Sequence, residues 1–389
     1  MRAWLLALWL ASAPAWPQAS PVVVGAALPE SGMLADLARD MGRALVLWQE
    51  IRNAEGGLLG RRIELRLLDD GSQGTAAMRL YAQLIEVERA DLLIGPFGSA
   101  AMVGAAAAAE RARRVLVNAT GISGRVQRLR GRYVFHVPAP LAAYGAGALA
   151  VARAAGHTKL QVLARNDPGS REAAEGLVAQ AKALGMAAVL QTVASGTGDY
   201  AARIAAARAR NAEAWIAFGL AEDAAEMVKS FKRIGYAPWM FLAQGAAEPA
   251  FLRLVGQDAE FALGISTYEP GIAAPANLEF AATWRKRWQG EPGAAAAAGY
   301  SAALVLEAAV RAAGTLDQER LREALASLEA DTPIGRYRVG EGGVQVGIKP
   351  TVVQILQGRR EVVWPPSLAT AQWQLPYPRW DERQVHATQ

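Results

Sequence analysis

At 389 residues the chain exceeds one ordinary domain, so two domains of common size are expected. Apolar residues make up 52%, enough for sizeable cores, and the formal net charge of +5 is spread over the whole length. No basic run is interleaved with stacking aromatics, which argues against nucleic acid as a partner. The absence of cysteine excludes disulfides, thiol chemistry and cysteine-based metal sites.

Residues 1–19 read as an export signal. Arg2 supplies the positive start, Ala3 to Ala11 a short apolar run, and Ala13-Pro14-Ala15 or the nearby Ala19 a small-residue exit. Pro14, Pro17 and Pro21 argue against a cytosolic helix here. The run is too short to span a bilayer, and no later stretch reads as the roughly 18 apolar residues of a membrane helix, so no direct membrane insertion is expected. Without a lipobox cysteine no lipid anchor is expected. The mature protein is therefore expected as a soluble monomer in the periplasm of a two-membrane bacterium.

Strand and helix signals then alternate. Val22-Val23-Val24 is a strand that empties into Leu28-Pro29-Glu30-Ser31-Gly32. Leu37, Met41, Leu45 and Trp48 recur at a helical period over residues 36–53. After the Ala54 to Gly60 turn, residues 62–68 alternate as a strand ending in Asp69-Asp70-Gly71, and residues 74–87 form the next helix. Asp91 to Ile94 is a buried strand, and Ala100 to Glu110 a helix. The turn between them, Gly95-Pro96-Phe97-Gly98-Ser99, bends sharply and puts a serine where a helix cap belongs.

A helix N-terminus at the end of a parallel strand favours an anionic group, which makes Gly98 and Ser99 a candidate carboxylate seat beside the plainer reading of a cap. Val115 to Asn118 is one more strand, and it empties into Ala119-Thr120-Gly121-Ile122-Ser123-Gly124. Parallel strands end at one edge, so this loop, the Gly98-Ser99 turn and the Ser31 loop are expected to face one crevice. Arg132 to Pro138 is a crossing strand, and beyond it a second βα series runs from helix 142–155 to strand 239–242. The fold class is thus α/β, with two Rossmann-like lobes built on parallel sheets.

Three stretches carry a family resemblance. They are Ser31-Gly32 with Glu55-Gly56-Gly57-Leu58-Leu59-Gly60-Arg61-Arg62 and Asp69-Asp70; Ile94-Gly95-Pro96-Phe97-Gly98-Ser99; and the ending Val363-Trp364-Pro365-Pro366 with Tyr377-Pro378-Arg379-Trp380. In this order they resemble the type I periplasmic binding proteins of ABC importers, in the leucine/isoleucine/valine-binding branch, over nearly the whole mature chain. The resemblance implies two discontinuous lobes closing on a ligand about a three-segment hinge. It places crossovers near Val137 to Tyr144, Thr267 to Pro270 and Asp331 to Gly335. The lobes would be residues 20–137 with 271–331, and 138–270 with 332–358, followed by a Pro/Trp-rich tail over 359–389 that wraps the body.

Carried over position by position, the family's carboxylate-binding serine matches Ser99, with Gly98 offering a backbone N–H. Thr120 falls at a backbone-contact position and Ile122 where the family has a threonine, which Ser123 replaces only if the loop shifts. In the second lobe the ammonium-pairing acid aligns with Gln244, and Asp167 or Glu222 is a candidate replacement. An unpaired buried ammonium is costly, so a hydroxy, keto or aromatic acid fits the surviving positions better than an amino acid, although amino acids are the family's commonest ligands. The implied function is delivery of a small carboxylate-bearing solute to the membrane permease of an ABC importer, with no cofactor. A periplasmic sensory subunit of the same fold and a nucleotide-dependent enzyme are the alternatives.

Other motifs weigh against the last of these. Gly145-Ala146-Gly147 with Asp167 downstream mimics a dinucleotide fingerprint, but Pro138 and Pro140 separate it from the strand, so small residues for helix packing are expected. His136, His157 and His386 are too scattered for a metal cluster. No nucleophile elbow or phosphate-binding loop is present.

Overall fold

The computed structural model describes residues 20–194, 196 and 200–383. The export signal expected over residues 1–19 and His386 lie outside the described residues. In chain order the first unit contains β1 (Val22–Leu28), α1 (Ala35–Ala54), β2 (Ile63–Asp69), α2 (Ala77–Glu86), β3 (Leu92–Ile94), α3 (Ser99–Ala112), β4 (Leu116–Asn118), the short α4 (Gly124–Gln127) and β5 (Val134–His136). Its five strands form a parallel sheet in the order β2-β1-β3-β4-β5. Both faces are covered, which is why β1 reads as a continuous apolar run. Val22, Val24, Ala26 and Leu28 enter one core, whereas Ala27 meets Leu80, Leu84 and Met102 on the other face.

The second unit repeats the pattern with α5 (Ala146–Ala154), β6 (Lys159–Arg165), α6 (Pro168–Ala183), β7 (Ala187–Val193), α7 (Ala201–Ala209), β8 (Ala214–Phe218), α8 (Ala221–Ile234), β9 (Met240–Ala243), α9 (Pro249–Val255) and β10 (Leu263–Ser266). The parallel part of its sheet has the order β7-β6-β8-β9-β10, the same winding as the first lobe. In both sheets the winding reverses beside the first strand of the unit, and the loops at that point are where open α/β sheets hold ligands.

The chain then returns to the first lobe through α10 (Pro275–Trp288), α11 (Ala294–Ala313) and α12 (Gln318–Ser327), and continues into the hairpin β11 (Ala330–Thr332) and β12 (Gly335–Tyr337). α11 corrects one expectation: by length and composition it is apolar enough to cross a membrane, with 67% of its window buried against this lobe's core. A buried ion network ties it to α1. Glu307 accepts from Trp48 Nε1 at 2.9 Å and pairs with Arg52 at 3.2 Å and Arg311 at 2.9 Å.

The third crossover falls later than expected. Asp331 to Gly335 is the turn of the β11–β12 hairpin, and Tyr337 stays in the first lobe's core with its hydroxyl donated to the Leu325 carbonyl at 3.0 Å. Ile348 is still in that core, and only at β13 (Thr351–Leu356) does the chain join the second sheet. Residues 332–348 therefore pack with the first lobe, and not with the second as the sequence suggested.

The boundary at 359 also moves. β14 (Arg359–Trp364) is the edge strand of the second sheet, paired antiparallel to β13. Gln357 and Gly358 take φ of 54° and 70°, the two-residue turn that matches strand twist. From Pro365 to Arg383 the chain lies across the second lobe. Gln354 holds it through its side chain, donating to the Gln374 carbonyl and accepting from the Gln374 amide, while Tyr377 and Trp380 pack into the core. The Gly147 position accounts for the false dinucleotide motif: a Cβ there would sit 2.8 Å from Trp364 and Val352, so glycine permits the edge strand to close.

Candidate functional site

The site is built outward from the turn after β3. Gly98 has φ 87° and ψ 159°, a conformation open to glycine, and it delivers Ser99 as the first residue of α3. Ser99 does not cap its own helix. Its Oγ instead accepts the amides of Ile122 and Ser123, both at 3.1 Å, from the loop after β4. A serine hydroxyl has two acceptor lone pairs and one donor. With both lone pairs filled by N–H groups, what remains to Ser99 is its proton, and only an acceptor can take it.

The neighbouring groups are turned inward. Gly98 N–H is not free for a ligand, because it donates to Thr120 Oγ1 at 2.8 Å, and that hydroxyl donates in turn to the Pro96 carbonyl at 3.1 Å. Asn118 clamps the loop by exchanging two hydrogen bonds with Gly121 and donating to His136 Nδ1 at 2.8 Å. Burial holds His136 neutral, its pKa lowered to about 4. Ser123 contributes its amide to the cluster, where the sequence pointed to its hydroxyl.

Ser31 is not part of this cluster. It is exposed, and its hydroxyl donates to Asp69 Oδ2 at 2.6 Å. That bond, followed by the Gly71 amide and those of Glu30 and Ser31, brings the Asp69 carboxyl down to about 2. The Ser31 hydroxyl thus donates to a tie between two loops.

In the second lobe Asp167 caps α6, accepting from the Ser170 amide at 2.9 Å and the Ser170 hydroxyl at 2.8 Å. Each of its oxygens thus already accepts one hydrogen bond. Arg165, at the end of β6, approaches Asp167 at 3.5 Å and Asp223 at 3.7 Å. Gln244 opens the turn after β9, half-buried, and its amide has no hydrogen bond among the described residues. Beside it Glu248 has its pKa raised by burial and then by the charge of Glu222, which itself is exposed.

Between the lobes lies a cavity of ≈ 230 Å³ where the three crossovers meet, its walls including Phe97, Ile122, Tyr144, Ala298, Ile334 and Ile348. Thr120 and Ile122 line it too, so the cavity opens beside the Ser99 seat. The lobes touch here: the Leu141 amide donates to the Ile122 carbonyl at 3.0 Å, and Ile122 packs on the second lobe's core. Reading the sequence did not find this cavity. One signal was available, the five alanines 294–298 at the start of a long helix, which leave room where larger side chains would fill it.

A family model described as periplasmic binding protein matches residues 21–358. The chain belongs to that family. Among solved structures, periplasmic binding proteins with the same fold include a putative branched-chain amino acid ABC transporter protein from Silicibacter pomeroyi, 20% identical, covering 92% of this chain and 99% of that one with a TM-score of 0.82. A leucine binding protein from Thermotoga maritima is 23% identical, covering 88% and 97%, with a TM-score of 0.68. A solute binding protein from R. palustris in complex with benzoate is 20% identical, covering 92% and 97%, with a TM-score of 0.69.

Proposed function

We propose that this protein is the periplasmic substrate-binding component of an ABC importer, capturing a small carboxylate-bearing solute between its lobes and presenting it to a membrane permease. The observation that carries this is the Ser99 hydroxyl, whose two lone pairs are filled by the Ile122 and Ser123 amides. The proton left over, beside the N-terminus of α3, suits an anionic acceptor and no donor. The ligands named for three proteins of this fold, leucine, isoleucine and benzoate, share a carboxylate. Acids without an ammonium suit position 244 best, since the neutral Gln244 stands where the ammonium-pairing acid is expected.

The test is a thermal-shift comparison of acids with their amides, benzoate against benzamide and leucine against leucinamide. A bound acid at 100 times its dissociation constant adds about 2.7 kcal/mol, a rise of several degrees. Amides are expected to give no rise. Equal shifts by acid and amide, or none with any acid, would refute the carboxylate reading.

A further inference from the structure

We propose that Arg128 of the first lobe and Glu172 of the second are a latch that engages as the lobes close, so that this pair sets ligand affinity without touching the ligand. The inference rests on the reading that the lobes close on a solute. Arg128 directly follows α4 and is exposed, whereas Glu172 is half-buried in the second turn of α6. Gly124, the first residue of α4, stands between them. A Cβ there would lie 2.7 Å from Glu172 Oε1 and 2.9 Å from Arg128 Nη1, so glycine lets opposite charges from the two lobes approach one point. Among the described residues, neither side chain has an ion pair or a hydrogen bond.

Neighbouring charges leave Arg128 to Glu172. Arg130 pairs with Glu341 at 3.6 Å, and Glu175, in the same groove, adds a second negative charge. The helix that carries Glu172 is fastened at the lobe boundary: Gln180 Nε2 donates to the Ala142 carbonyl of the first crossover at 2.8 Å, and a Cβ on Gly176 would sit 2.4 Å from the same oxygen. Glu172, one turn before Gly176, therefore waits for Arg128 to come to it. The groove that holds the pair measures ≈ 570 Å³ and shares no lining residue with the hinge cavity, so changes at either charge leave the walls beside Ser99 intact. A contact made only in the closed state multiplies the closure constant and lowers the apparent dissociation constant to match. For a pair this exposed the factor is modest, about threefold, and salt weakens it.

A double-mutant cycle on the whole protein tests this, with benzoate and leucine as titrants in calorimetry and each variant checked by its melting curve. Arg128→Gln and Glu172→Gln are each expected to weaken the acid that binds about threefold, and the double variant no further than either. The reversed pair, Arg128→Glu with Glu172→Arg, is expected to recover at least about half of the loss. Raising salt to about 0.5 M should cost wild type the same factor and the neutral variants little. Unchanged affinity in both single variants, additive losses in the double one, or no recovery in the reversed pair overturns the latch. A second readout needs no ligand. The chain has no cysteine, so Met33→Cys and Leu220→Cys, exposed on either lobe, accept one spin label each for an interlobe distance. The short-distance population is expected to fall about threefold in each single variant and to return in the reversed pair. If neither acid binds, the carboxylate reading falls and these distances decide the latch, a distribution indifferent to both charges overturning it.

Discussion

The two lobes share one winding but present different chemistry at the edge of their sheets. The first lobe's Ser99 cluster is neutral: Gly98, Ser99, Thr120 and the amides of Ile122 and Ser123 hydrogen-bond among themselves and leave one hydroxyl proton over. The second lobe's edge is charged, with Arg165 set between Asp167 and Asp223, and Glu248 close to Glu222. A seat made of neutral dipoles holds an anion without carrying a counter-charge that must be desolvated when the seat is empty.

The largest effects come from breaking the backbone of each edge. At Gly245 a Cβ would lie 2.2 Å from the Leu220 carbon and oxygen and 2.4 Å from the Ala221 nitrogen, all main-chain atoms. Gly245→Ala is expected to cost about 3 kcal/mol, the upper end of overpacking, and to drop the melting midpoint by several degrees. Gly98 is the opposite case, with nothing within 4 Å of its Cβ position but a positive φ of 87°. Gly98→Ala is expected to cost about 1–3 kcal/mol through backbone strain alone. Equal melting points for Gly98→Ala and wild type would show that the first edge does not depend on this conformation.

Next in size is the affinity difference between the edges. Ser99→Ala removes the hydroxyl proton proposed to meet the carboxylate and orphans the Ile122 and Ser123 amides. A hydrogen bond to a charged group contributes about 1.5–3 kcal/mol, so the dissociation constant for the bound acid is expected to rise roughly 10- to 150-fold. Gln244→Ala is expected to change it less than about threefold, since that amide has no counter-charge to offer an acid. Calorimetry on both variants decides the matter, and a larger loss at Gln244 would transfer the anchor to the second lobe.

Much of this architecture was readable because its causes are local. β1 and β8 announce themselves by apolar runs, and the Gly98-Ser99 and Thr120-to-Ser123 loops by glycines and hydroxyls within a few positions. The failures share a different cause. The tie at Ser31 is invisible because its acceptor, Asp69, lies 38 residues away. Asp331 to Gly335 looks like a crossover because a hairpin turn and a hinge have the same composition, and only the burial of Tyr337 separates them. β14 hides because Arg359, Arg360 and Glu361 make an edge strand look like the start of a tail. The cavity is the extreme case, since each of its walls comes from a different stretch and only packing brings Phe97, Tyr144 and Ile334 together.

The smallest expected effect is the pH response, which has opposite signs at the two edges. Asp69, on the first lobe, has its carboxyl lowered to about 2 by the Ser31 hydroxyl and neighbouring amides, against about 3.9 when unfolded. Its contribution is complete above the unfolded value and is lost as pH falls from about 4 to about 2. Glu248, on the second lobe, is raised first by burial and then by Glu222 and Asp223. The native state holds that proton more tightly than the unfolded chain, so its contribution is complete below the ordinary glutamate range and is lost as pH rises through the elevated value. Ser31→Ala is therefore expected to flatten the loss of stability at pH 2–4, and Glu248→Gln to remove the loss above the glutamate range. Denaturant midpoints measured across pH 2 to 7 for wild type and both variants check this, and a Ser31→Ala curve parallel to wild type below pH 4 would place the acid sensitivity elsewhere.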